Sequence, residues 1–335
     1  SSVVPVGRGV RRWLAVSLAA AAFLGWLWLP PLSEPDEARW AEMGREILET
    51  GDWTIPRLLG RPYLAKPPLY PWLVALACLP RGRASAVVAR AVAALVATAG
   101  VLVLFAWGRR WLGPEAAFLA ALALATNYNW IYHARHALVD GLLSFLVLLS
   151  LWSFWRFHRG TGSALPAWTW MALATMTKGP AGPIVPVLTA GTYLAWRGRL
   201  RSLARRDHLL GAAAFLAVVL GWYLYAYAQV PAGEAIKALR GDTLGKFLPR
   251  PDRPYVPFLK AAEGLLSHFF PWVLLLPPAA LAALRDPDPG RRELARFATC
   301  WAGSGFAFFG LASTHRAEYL LPCLLYTSDA ADDGE

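Results

Sequence analysis

The sequence predicts an all-α polytopic membrane protein, and three observations predict it. First, 56% of the 335 residues are hydrophobic and only 16% charged, with a mean hydropathy of +0.38, a balance soluble domains seldom show. Second, the apolar residues are gathered into runs close to the roughly 20 residues that cross a bilayer as a helix. Third, short arginine-rich linkers separate those runs, as expected where positive charge sets orientation. The formal net charge of +11 is spread over these linkers and forms no basic stripe, which excludes a nucleic-acid partner.

In chain order, RGVRR (8–12) precedes an apolar run from Trp13 to Pro31. That run is long and lacks a small-residue cleavage pattern, so it reads as a retained first span behind a cytoplasmic 1–12, not as a signal peptide. Further spans are expected near 86–107, 114–131, 141–157, 164–180, 181–196, 209–229, 258–284 and 297–313, with another beginning at Tyr319. The segment 69–80, LYPWLVALACLP, has only about 12 apolar residues between prolines and reads as a re-entrant or interfacial helix. With that choice the basic linkers 108–110, 156–160, 197–208 and 285–296 fall on the side of RGVRR, which the positive-inside rule makes cytoplasmic. The loops 32–85, 132–140, 230–257 and 314–318 and the turn at Lys178-Gly179 then share the outer side. The chain shows no internal repeat. Its last residues, SDAADDGE, break with everything before them, and 326–335 are read as a non-native tail.

The long polar stretch 33–66 is the expected working surface. It opens on Ser33 and Asp36, continues as a short amphipathic helix with Trp40, Met43 and Ile47 on one side, and stops at Thr50-Gly51. Asp36, Arg39 and Trp40 share a face at i, i+3 and i+4, which sets a carboxylate beside a guanidinium. Asp36 and Glu37 follow the first span directly, where an acid serves either chemistry or as a boundary marker. Asp140 heads an apolar run just after His133, Arg135 and His136; it reads as a functional acid, as the N-cap of the helix over 141–157, or as both. Lys66 and Lys178 are lone lysines beside prolines at outer helix ends, where they either snorkel or bind an anion. With Arg39, Lys246, Arg250 and Arg253 they would ring an acidic centre with positive charge, a setting suited to a lipid-linked phosphate.

Other side chains offer less. No Gly-rich phosphate loop, Walker lysine or HExxH is present. His133 and His136 lack a clustered carboxylate and are not read as metal ligands. His158 and His208 sit among arginines and read as surface residues, His268 as packing. Cys78, Cys300 and Cys323 are odd in number and widely spaced, implying neither a disulfide framework nor a metal. Trp26, Trp28, Trp107, Trp111, Trp152 and Trp155 read as interfacial belts. The loop 230–257 is too long for a plain connector and too polar for a span.

The stretch EPDEARWAEMGREILETGDWTIPRLLGRPYLAKPPLYPW (34–72) resembles the bacterial aminoarabinose transferase and protein O-mannosyltransferase superfamily of polyprenyl-phosphate-sugar glycosyltransferases. The resemblance continues in order through ARHALVDGLLSFL (134–146), MALATMTKGPAG (171–182), GDTLGKFLPRPDRPY (241–255), FFPWVLLLPPA (269–279) and HRAEYLLP (315–322). It implies a GT-C membrane domain over 13–325 with amphipathic juxtamembrane helices in the first outer loop, a site at the periplasmic face of the bacterial inner membrane, and further spans and a soluble outer domain beyond this chain.

By the same resemblance Asp36, Glu37 and Asp140 are the catalytic residues. Arg39, Lys66, Lys178, Lys246 and Tyr319 bind the donor phosphate, and His315 stands where a lysine is common. Two positions depart from the aminoarabinose transferases, which often have Glu and His where this chain has Ala65 and Asp242. These departures argue against a divalent metal, and no other cofactor is implied.

The expected reaction is an inverting transfer of a sugar from a polyprenyl-phosphate donor to a lipid A, glycan or protein acceptor, with Asp36 acting as general base or orienting the acceptor and the cations stabilising the departing phosphate. A transporter or lipid flippase, with Asp140 and the lysines lining a substrate path, is the competing class. It would show inverted repeats and broken helices in matching halves, and no such symmetry is visible.

Overall fold

A computed structural model describes residues 35–237 and 258–311, together with Trp13, 16–18 and 21–25. Most of the expected first span, Lys246 and the rest of the loop 238–257, and His315 and Tyr319 lie outside the described residues. So do Ser33, Trp26, Trp28, Cys323 and the tail.

The described chain is helical apart from one hairpin. It runs α1 (Pro35–Thr50), β1 (Arg57–Leu58), β2 (Arg61–Pro62), α2 (Leu69–Cys78), α3 (Ala86–Trp111), α4 (Pro114–Ala125), α5 (Tyr128–Arg135), α6 (Val139–His158), α7 (Leu165–Lys178), α8 (Ala181–Trp196), α9 (Arg206–Ala228), α10 (Ala232–Lys237), α11 (Leu259–His268), α12 (Leu276–Leu284) and α13 (Pro289–Leu311). The antiparallel hairpin sets Arg57 opposite Pro62 and Leu58 opposite Arg61.

Three described helices, α3, α6 and α9, are long and apolar enough to cross a bilayer. Ala261–Ser267 with Trp272–Leu284 would be a fourth, bent by 104°. The chain is a multi-pass membrane protein. Helix α6 is central, with 78% of its apolar window buried against α3, α5, α7 and α8, whereas the window of α9 is only 17% buried. Lipid is as apolar as leucine, so such helices associate through close van der Waals packing. Accordingly α3 turns Ala89, Ala93, Ala94, Ala97 and Gly100 inward, and Trp130 of α5 donates its indole N–H to the Ala97 carbonyl at 3.3 Å.

The amphipathic helix forms as expected. Trp40, Met43 and Ile47 are fully buried, and α1 packs on α2. With 10 residues, α2 is only about 15 Å long, half of a bilayer's apolar thickness, which fits a helix that does not cross.

The chain's two polarities separate to opposite ends of the bundle. Helices α3 and α6 run parallel: Arg90 near the start of α3 lies beside Ala137, and Trp111 at its end packs on Trp155 at 5.7 Å. Trp13 reaches Arg109 at the second end. Arg159 approaches Gly290 and Arg291 approaches Gly113 there as well. His208 at the start of α9 meets His158 at the end of α6 with 3.3 Å between their Nε2 atoms. The linkers 108–110, 156–160, 197–208 and 285–296 therefore gather at one end, and Asp36, Lys66, Asp140 and Lys178 at the other.

Four expectations are corrected. The single span over 114–131 is two helices, because Asn127 breaks the run and caps α5 by accepting the Trp130 amide at 3.1 Å. Trp107 and Trp155 are core residues, both buried, Trp155 against the rings of Trp111, Tyr193 and Phe297. His208 is buried, not superficial, held by the Trp168 indole N–H at 3.3 Å and the rings of Phe154 and Phe157. Asp140 is not an N-cap: that position is Leu138, and Asp140 lies in the first turn of α6 with its side chain directed elsewhere.

Candidate active site

The site is assembled from four segments. Helix α1 supplies Asp36 and Arg39 one turn apart, and their side chains form an ion pair. The segment after the hairpin brings Lys66 to Asp36, with Nζ 3.7 Å from Oδ2. Lys66 also lies over the Trp40 ring at 4.9 Å, and Arg39 over the Tyr63 ring at 5.7 Å. Trp40 and Tyr63 meet edge to face at 6.3 Å, so one aromatic bed supports both cations that hold Asp36.

Asp140 opens α6, and Lys178 closes α7. Their side chains are paired, both almost buried. Lys66 and His133 lie within electrostatic reach of Asp140, so the charge of Lys66 acts on both carboxylates. Lys178 reaches this place through a tight turn. Gly179 ends α7 with φ of 66°, and Gly182 on α8 lies so close to α7 that a Cβ there would come within 2.6 Å of Thr175 Cα. Neither lysine snorkels; each turns inward to a carboxylate.

Glu37 does not stand beside Asp36 at the surface. It is fully buried, and its carboxylate accepts hydrogen bonds from Arg90 Nε at 2.9 Å, from a terminal Arg90 nitrogen at 3.0 Å and from the Ala137 amide at 2.9 Å. Burial alone would push its pKa up. The two Arg90 bonds, the Ala137 amide and the nearby His136 outweigh that and hold it below the usual glutamate value. Glu37 thus ties α1 to α3 and to the approach to α6, the elements that present Asp36 and Asp140.

Arg90 is the residue that the sequence reading missed. The signal was present: an arginine inside the apolar run 86–107 is costly in a membrane unless a partner faces it. Lys246 and Tyr319 cannot be placed, lying outside the described residues. Among the described residues no three His, Cys, Asp or Glu side chains gather as a metal site. Chemically, the arrangement offers two carboxylates interleaved with three cations in a largely enclosed setting.

Residues 65–225 match the family model described as dolichyl-phosphate-mannose-protein mannosyltransferase. The chain is 32% identical to undecaprenyl phosphate-alpha-4-amino-4-deoxy-L-arabinose arabinosyl transferase 1 of Pseudomonas fluorescens, over 94% of this chain and 58% of that protein. Its fold is similar to the crystal structures of ArnT from Cupriavidus metallidurans. The one bound to undecaprenyl phosphate superimposes with a TM-score of 0.80 at 24% identity, covering 96% of this chain and 59% of that one. The apo form gives 0.77 at 26% identity, covering 94% and 58%. This chain thus spans a little under three fifths of the length of these two relatives. Over 65–225 it is similar to the mannosyltransferase family model, and over most of its length to these aminoarabinose transferases.

Proposed function

We propose that this chain works as the membrane portion of an inverting glycosyltransferase that moves a sugar from a polyprenyl-phosphate donor to an acceptor hydroxyl or phosphate. The observation that carries the reading is the convergence of Asp36, Lys66, Asp140 and Lys178 from four separate segments. The names of the relatives support an undecaprenyl-phosphate-linked donor, and the acceptor is a lipid A, glycan or protein group. We place the site at the periplasmic face of the inner membrane, with 1–12 cytoplasmic and 13–325 as the membrane domain. The arginine linkers gathered at the opposite end support that orientation.

In the reaction the acceptor oxygen attacks the anomeric carbon from the face opposite the phosphate. The carbon–oxygen bond to the phosphate breaks, and the acceptor proton passes to Asp36. Lys66, Lys178 and Arg39 exchange part of their pairing with Asp36 and Asp140 for the donor phosphate, and so meet charge as it develops on the leaving oxygen. This exchange frees an Asp36 oxygen for the proton. Glu37 and Arg90 act at one remove, by fixing the frame. Lys246 and Tyr319 are assigned to the phosphate on the family pattern alone.

The test uses membranes containing the complete protein, offered a panel of radiolabelled polyprenyl-phosphate sugars. The panel is broad because Ala65 and Asp242 depart from the aminoarabinose transferase pattern. Release of polyprenyl phosphate with label in an acceptor supports the reading. A folded, inserted protein that transfers from no donor overturns it.

A further inference from the structure

The hairpin β1–β2 contributes no side chain to the site, yet it is built with care. It turns through Leu59 and Gly60 at φ of 53° and 75°. Glycine adopts this conformation freely, but a leucine rarely does. Leu59 is 78% exposed, so no contact among the described residues accounts for it. The turn is clamped from beneath: Glu46, itself buried, accepts the Gly60 amide with both oxygens, at 2.9 and 3.2 Å. Arg57 and Arg61 flank the tip. Arg61 is exposed, and Arg57 is half-buried and 3.5 Å from Asp52.

The base of the hairpin fixes its level. Ile55 and Leu64 are buried with Ala226 and Val230, at the far end of α9. Trp222 of α9 donates its indole N–H to the Thr54 carbonyl at 3.0 Å. Helix α9 is the apolar span least covered by described protein. Its run of Trp222, Tyr223, Tyr225 and Tyr227 has the composition of a membrane–water boundary. Leu59 is four steps along the chain from Ile55, so the tip lies within about 14 Å of that residue's level.

We propose that the β1–β2 hairpin is a membrane-interface anchor, with Leu59 inserted among the lipid chains just beneath the headgroups and Arg57 and Arg61 on the phosphates of anionic lipids. Buried leucine and phosphate-bound arginine together account for an exposed apolar tip with basic flanks. The anchor pins the segment leading to Lys66 against the leaflet.

The test reads depth, not sugar transfer, so its failure leaves the glycosyltransferase reading standing. The full chain, with Cys78→Ala, Cys300→Ala and Cys323→Ala, receives Leu59→Cys and a fluorophore at that thiol. It is then reconstituted in phosphatidylethanolamine–phosphatidylglycerol vesicles. Glu49→Cys, on the exposed side of α1, gives the aqueous reference. At Leu59 a nitroxide high on the acyl chain should quench severalfold more than one at the chain end, with iodide severalfold weaker than at Glu49. Adding Arg57→Gln and Arg61→Gln, or replacing phosphatidylglycerol by phosphatidylcholine, should weaken the lipid quenching. Iodide quenching equal to that at Glu49 would put the tip in water, and protection from both quenchers would put it under protein. Either result overturns the anchor.

Discussion

Glu37 and Arg90, 53 residues apart, face each other through two hydrogen bonds of 2.9 and 3.0 Å with both side chains out of solvent. Such a pair stabilises only as a pair. Arg90→Met should cost about 3–5 kcal/mol, because it leaves a buried carboxylate without its counter-charge. Unfolding of the purified protein in detergent measures it, and Glu37→Gln combined with Arg90→Met should restore part of the loss.

The same pair predicts an acid limb in stability. The Glu37 pKa is depressed in the folded state, so this group stabilises fully above its unfolded value of about 4.5, and that contribution fades as pH falls through the lower folded value. Across neutral pH it contributes no slope. Unfolding followed as a function of pH should show the limb in the native protein and a weaker one in Glu37→Gln.

Asp36→Asn keeps the shape and much of the Arg39 contact but removes the proton acceptor. Transfer from the competent donor should fall by about 100-fold or more while folding is retained. Wild-type turnover in this variant would remove Asp36 from the mechanism.

Lys66→Ala and Lys178→Ala should each lower kcat/KM for the donor by roughly 10-fold or more, given about 1.5–3 kcal/mol for a hydrogen bond to a charged group. Both lysines lie within reach of Asp140, so the double variant should lose less than the sum of the two. Steady-state kinetics with varied donor reads both effects.

Gly182→Val tests whether the approach of α8 to α7 places Lys178. The added methyls would press on Thr175, at a cost of about 1–3 kcal/mol. Activity should fall further than Lys178→Ala alone explains if the whole turn shifts.

Much of this site was legible in the sequence. Asp36, Lys66, Asp140 and Lys178 stood out because each is a charge at the edge of an apolar run, where solvation makes a charge either deliberate or expensive. Arg90 escaped notice because the hydropathy of its run hid one cation among alanines and valines. Glu37 was grouped with Asp36 because they are adjacent, whereas consecutive residues on a helix point about 100° apart: one faces the site and the other the core.

The one-sided errors have the same origin. A window over 114–131 sums hydropathy and overlooks that Asn127 can cap a new helix. Trp155 and His208 have the composition of boundary residues, but only the convergence of α6, α7, α8 and α9 decides that their rings are covered.

By itself the sequence determined the membrane class, the amphipathic first helix, the shortness of α2, and the separation of basic linkers from the acidic site. All of these follow from local hydropathy and from the charge bias of short loops. Beyond the Asp36–Arg39 pair, tertiary structure alone decided which carboxylate of the site meets which cation, because pairing depends on distances between segments 30 to 53 residues apart along the chain. Those distances are set by the close packing of helices, which no periodicity along a single chain records.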